Sequence, residues 1–163
     1  MFSITGLALA QEIIDLAKAS GVKLATAESC TGGLVAGALT AIAGSSAAVD
    51  RGFVTYSNEA KSEMLGVSET DLNSFGAVSE PVARAMASGA VVHSRAQVAV
   101  SVTGIAGPGG ATDNKPVGLV HFACAAADGS VTHVERRFGD IGRDKVREES
   151  LHQALNLLKN ALS

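Results

Sequence analysis

"VAVSVTGIAGPGG", residues 98–110, decides the fold. Its first six residues form the most β-like run in the chain, and the rest is a long glycine-rich loop. Upstream, helical and extended patterns alternate. Leu9, Ile13, Leu16 and Ala17 recur at helical spacing until Ser20-Gly21. Residues 22–26 are a short extended run, and residues 34–42 are apolar on nearly all sides until Gly44, as in a buried helix. Residues 47–56 fit a strand and residues 59–65 a short helix stopped by Gly66. Ser68 and Ser79 each suit the start of a further helix, the second running to about His93. Downstream, two strand-like runs flank Asp128-Gly129, a hairpin signal. Leu151, Ala154, Leu155, Leu158 and Leu162 then line one face of a last helix. Alternation followed by a hairpin predicts a three-layer α/β/α single domain over residues 1–163. Its mixed sheet has about five strands, with helices on both faces.

Composition narrows the function classes. The chain of 163 residues has a formal charge of −3 and no long basic run. Nucleic-acid binders usually show a basic stripe, so no nucleic-acid partner is expected. Cys30 and Cys124, without C-x-x-C spacing, fit reduced thiols in a cytoplasmic protein. No apolar run reaches the about 18 residues that span a membrane, and residues 1–10 lack the basic start of a signal peptide. His93, His121, His133 and His152 are scattered without ligand spacing, so neither a metal nor a Ser-His-Asp triad is expected. The P-loop, G-x-S-x-G and H-E-x-x-H patterns are absent.

Ligands of an open α/β sheet bind beyond the carboxyl ends of its strands. Four strand ends here are polar or glycine-rich: residues 29–33, 56–61, 103–110 and 139–143. Gly32 and Gly33 open a helix, either as a plain tight turn or with free amides that hold an anion. Tyr56 is the only tyrosine, and Lys61 falls in the first turn of its helix. The positive end of the helix dipole disfavours an ammonium there, and burial would add to the effect. Lys61 is thus either a solvated surface side chain or a neutral general base. Gly44-Ser45-Ser46 brings two hydroxyls nearby in sequence. Arg143 and Lys145 are either a harmless exposed pair or cations at a helix start that await an anion.

Five segments together, "TAESCTGG", "GSSAAVDRGFVTYSNEAK", "GAVSEPVA", "SVTGIAGPGG" and "KPVGLV", resemble the CinA C-terminal domain family. They stand in the family's order and spread over most of the chain. The family's characterised activity is hydrolysis of the carboxamide of nicotinamide mononucleotide to nicotinate mononucleotide and ammonia, in pyridine-nucleotide recycling. The resemblance implies a stand-alone form of this domain, a cytoplasmic enzyme and no cofactor. It also implies a serine–lysine mechanism with Ser46 as nucleophile, Lys61 as base and Tyr56 as proton relay. Ser29, Gly44, Ser45, Thr103, Gly104 and Arg143 would hold the substrate, with backbone amides near Gly44 as oxyanion donors. A homodimer fits the apolar-rich composition. Two other functions remain open at this point: a non-catalytic nucleotide-binding module linked to competence, and an amidase acting on another small amide.

Overall fold

The computed structural model describes residues 1–163, in the order α1 (Ile4–Ser20), β1 (Leu24–Glu28), α2 (Leu34–Thr40), β2 (Val49–Val54), α3 (Asn58–Leu65), α4 (Glu69–Phe75), α5 (Glu80–Val92), β3 (Val98–Gly104), β4 (Leu119–Ala126), β5 (Val131–Arg137) and α6 (Arg143–Leu162). The five strands form one mixed sheet in the order β2-β1-β3-β4-β5. β1 pairs in parallel with both β2 and β3, and β3, β4 and β5 continue antiparallel. The three-layer α/β/α expectation is met. No helix is long and apolar enough to cross a membrane.

The two-residue period of a strand sorts the core. Leu24, Val98, Val100, Val102, Val120 and Phe122 face one side, where they pack with α1, α2 and α6. Ala25, Ala27 and Ala99 face the other, with Phe53, α3, α4 and α5. Ala83 and Ala87 of α5 meet Ala123 and Ala125 of β4 on this same side. Alanine against alanine lets α5 lie close to the sheet. Gly89 takes α5 equally close to α3, because a Cβ there would lie 2.1 Å from the Leu65 carbonyl oxygen.

Local signals place most boundaries. Gly21 and Gly66, both left-handed, close α1 and α3, and the Ser57, Ser68 and Ser79 hydroxyls cap α3, α4 and α5. The main displacement is β1, which lies two residues later than residues 22–26. Val22 is still tied to the Ala17 carbonyl at the end of α1. At the far end Glu28 is buried within the strand, because its carboxylate accepts the amides of Val35 (2.9 Å) and Ala36 (3.0 Å) in the first turn of α2. The first turn of α2 thus already holds an internal anion, which favours the plain tight turn of the two readings of Gly32-Gly33.

Candidate active site

The chain leaves β1 toward the α2 side of the sheet and leaves β2 toward the α3 side. This divergence opens a crevice at the carboxyl ends of the two parallel strands, where ligands of such sheets bind. Ser29 follows β1, and its amide donates to the Val102 carbonyl of β3 (2.9 Å). The Thr55 amide donates to the Glu28 carbonyl (2.9 Å), which extends the β1–β2 ladder by one step. The chain then turns at Tyr56 and Ser57 into α3, and Lys61 comes back over the strand ends.

Lys61 Nζ lies 3.0 Å from Ser29 Oγ and 2.8 Å from the Thr55 carbonyl oxygen. The side chain is only 1% exposed and joins none of the ion pairs of the fold. Burial without a carboxylate partner lowers its pKa, although the neighbouring Cys30 opposes this slightly. Cys30 shares the pocket, but burial pushes its thiol up to about 12, so it stays protonated near neutral pH. Ser29 is thus the hydroxyl in contact with a lysine biased toward the neutral form.

A pocket of about 240 Å³ surrounds this pair, lined also by Tyr56, Asn58, Val78, the 103–110 segment and Arg143. Arg143 bridges its mouth, donating to the Gly107 carbonyl (2.9 Å) and to Tyr56 Oη (3.1 Å). Tyr56 is 64% exposed and its hydroxyl faces Arg143, so the phenol stands at the rim and is not hydrogen-bonded to Ser29 or Lys61. Thr103 is buried and donates to the Ala77 carbonyl (2.9 Å), which fixes the Ala77–Val78 wall to the sheet. Gly104 permits close strand contact, since a Cβ there would lie 2.6 Å from Val120 Cγ2.

Ser29, Tyr56, Lys61, Thr103, Gly104 and Arg143 therefore come together, whereas Gly44, Ser45 and Ser46 do not. Ser45 and Ser46 form a 3₁₀ turn just before β2, at its amino end, where Lys23 Nζ donates to the Ser46 carbonyl (3.2 Å). The six residues of β2 intervene, and at about 3.3 Å per residue they put Ser46 roughly 20 Å from the Lys61 end. The expectation that Ser46 faces Lys61 is corrected by this geometry, as is the expectation of oxyanion donors near Gly44. Asn58 and Val78 were missed, and no sequence signal marked them. The histidines are less scattered than their numbers suggest. Antiparallel pairing of β4 and β5 sets His121 Nδ1 2.9 Å from His133 Nε2, outside the pocket.

The fold is that of an α/β protein with a pocket at the carboxyl ends of its parallel strands, where a buried amine meets a serine hydroxyl. The chain belongs to the CinA C-terminal domain family, whose model matches residues 7–162. It is 53% identical over 151 residues to the nicotinamide-nucleotide amidohydrolase PncC of Escherichia coli K12, covering 92% of this chain and 90% of that protein. It is 54% identical to the enzyme of the same name from Enterobacter agglomerans, covering 94% and 92%. Among solved structures it is similar to the competence/damage inducible protein CihA of Agrobacterium tumefaciens, with a TM-score of 0.96 and 56% identity over 99% of this chain and 98% of that one.

Proposed function

We propose that the protein hydrolyses the carboxamide of nicotinamide mononucleotide, with Ser29 as nucleophile and Lys61 as general base. The observation that carries this reading is the 3.0 Å contact between Ser29 Oγ and a buried, unpaired Lys61. Full-length similarity to nicotinamide-nucleotide amidohydrolases supports the substrate.

A neutral Lys61 donates one N–H to the Thr55 carbonyl, and its lone pair accepts the Ser29 proton. Ser29 Oγ attacks the carboxamide carbon as its proton passes to Nζ. The tetrahedral oxyanion needs donors, and the Cys30 amide, which adjoins Ser29 at the pocket and donates to no other residue's carbonyl, suits that role. Collapse returns the proton from Lys61 to the leaving nitrogen and releases ammonia. Water then attacks the acyl-serine with Lys61 again as base, which frees nicotinate mononucleotide and regenerates Ser29. At the pocket mouth Arg143 has guanidinium N–H groups left after its two internal bonds, and these suit the substrate phosphate. Tyr56 at the same rim orients Arg143, a role distinct from the proton relay that the resemblance implies.

The test is ammonia release from nicotinamide mononucleotide, run beside nicotinamide and NAD. Release from the mononucleotide at a rate well above both alternatives is expected. Equal or faster release from nicotinamide would place the specificity elsewhere, and no release from any of them would leave a binding module.

A further inference from the structure

We propose that Gly109 is a specificity-determining residue, where the substrate's phosphate lies against the backbone of the loop after β3. Its amide and that of Gly110 donate to the phosphate oxygens beside Arg143. The inference rests on the hydrolase reading above and on its phosphate at Arg143. Two features of a fold call for glycine: a left-handed backbone, or a neighbour too close for a Cβ. Of the 18 glycines, twelve have a positive φ. At Gly6, Gly37, Gly52, Gly89 and Gly104 a Cβ would meet another atom at 3.1 Å or less. Gly109 alone has neither feature, since its φ is not positive and a Cβ there would meet nothing within 4 Å. The fold therefore has room for a side chain at this position, yet Gly109 lines the pocket. A third use of glycine remains, the close approach of backbone to a ligand.

What surrounds Gly109 sets the ligand group. Arg143 donates to the Gly107 carbonyl (2.9 Å), two residues before Gly109, so the guanidinium stands at this stretch of the loop. The amides of Gly107, Gly109 and Gly110 donate to no backbone carbonyl. Lys61 is held on Ser29 and the Thr55 carbonyl, and no aspartate or glutamate lines the pocket. Unpaired amides beside a guanidinium, with no carboxylate near them, suit an anion with several acceptor oxygens. The loop is also held at its ends. The Gly118 amide donates to the Ile105 carbonyl (2.8 Å) and closes its base, and Lys115 Nζ donates to the Phe75 carbonyl at the end of α4. Donors fixed in this way lose little freedom when the phosphate arrives.

The experiment compares the wild type, Gly109→Ala and Gly109→Val. It measures KM for nicotinamide mononucleotide, the inhibition constant of nicotinamide riboside against it, and thermal melting. The riboside keeps the ring and the sugar and lacks the phosphate. Because the added Cβ meets no protein atom, Gly109→Ala should melt at or slightly above the wild-type temperature. Its KM for the mononucleotide should rise by about 10-fold or more, the loss expected for a charge-assisted hydrogen bond, while the riboside constant stays within about twofold. Gly109→Val should raise KM further. Equal losses on both compounds would put the crowding at the ring or the ribose, and unchanged constants would put Gly109 clear of the substrate. Either result overturns the inference, as does a clearly lowered melting temperature, which would show that the fold itself needs this glycine. A wild type that releases no ammonia overturns the hydrolase reading alone. Dissociation constants of the two compounds, from calorimetry on the same three proteins, then decide the inference by the same comparison, and a wild type that binds neither compound overturns both.

Discussion

Lys61 is among the largest of the fully buried side chains, and no carboxylate accompanies it. Its folded pKa lies below the ordinary value of 10.5 because burial penalises the ammonium. A base must be unprotonated in the resting enzyme, so kcat/KM should rise with pH through the lowered pKa and then level off. Lys61→Arg keeps a charge that cannot be lost near neutral pH, and should be nearly as damaging as Lys61→Ala. An arginine variant with a large share of wild-type activity would make Lys61 a fixed cation instead. The same shift sets a stability trend. Below 10.5 the unfolded chain binds a proton that the folded chain refuses until pH falls through the lowered pKa, so stability declines as pH falls across that window. Lys61→Met should therefore melt higher than wild type at neutral pH, by about 2–4 °C for each 1 kcal/mol gained, and the gain should vanish above the unfolded pKa. The helix position of Lys61 was legible in the sequence. Its serine partner was not, because Ser29 and Ser46 are both hydroxyls beside glycines, and only strand direction separates them.

At the scale of elements, α3 carries Lys61, the proposed base, and α5 supports α3. Gly89 is where they touch, with an added Cβ meeting the Leu65 carbonyl oxygen at 2.1 Å and the Leu65 carbonyl carbon at 2.9 Å. Backbone cannot yield there as a flexible side chain would. Gly89→Ala should cost about 1–3 kcal/mol in denaturant unfolding despite the better helix propensity of alanine. It should also lower kcat by pushing the end of α3, and with it Lys61, away from Ser29. Unchanged stability and activity would mean that the two helices do not hold each other. Capping signals made most of these elements legible: Gly21, Gly66, Ser68 and Ser79 each act where the sequence placed them. The end of β1 was not legible. Glu28 looks like a loop residue by type, and only its reach to the Val35 and Ala36 amides explains a carboxylate at the end of a buried strand. The Gly89 contact was hidden for a related reason, since a glycine in a helix gives no sign of what passes over it.

Across the whole molecule, alternating elements and a terminal hairpin were enough to foretell a mixed five-stranded sheet between two helical layers. Strand order was not foretold, and strand order makes the site. Because β1 lies between β2 and β3 and runs parallel to both, the loops after all three strands meet at one end. The turn before β2 is left at the other end, together with Ser46. The most direct measurement is ammonia release from nicotinamide mononucleotide by purified Ser29→Ala and Ser46→Ala, side by side. Ser29→Ala should lose nearly all turnover, a fall of at least about 1,000-fold in line with loss of a nucleophile, and should still fold. Ser46→Ala should stay within about twofold of wild type. Near-normal turnover in Ser29→Ala with its loss in Ser46→Ala would contradict the assignment of nucleophile, base and site together.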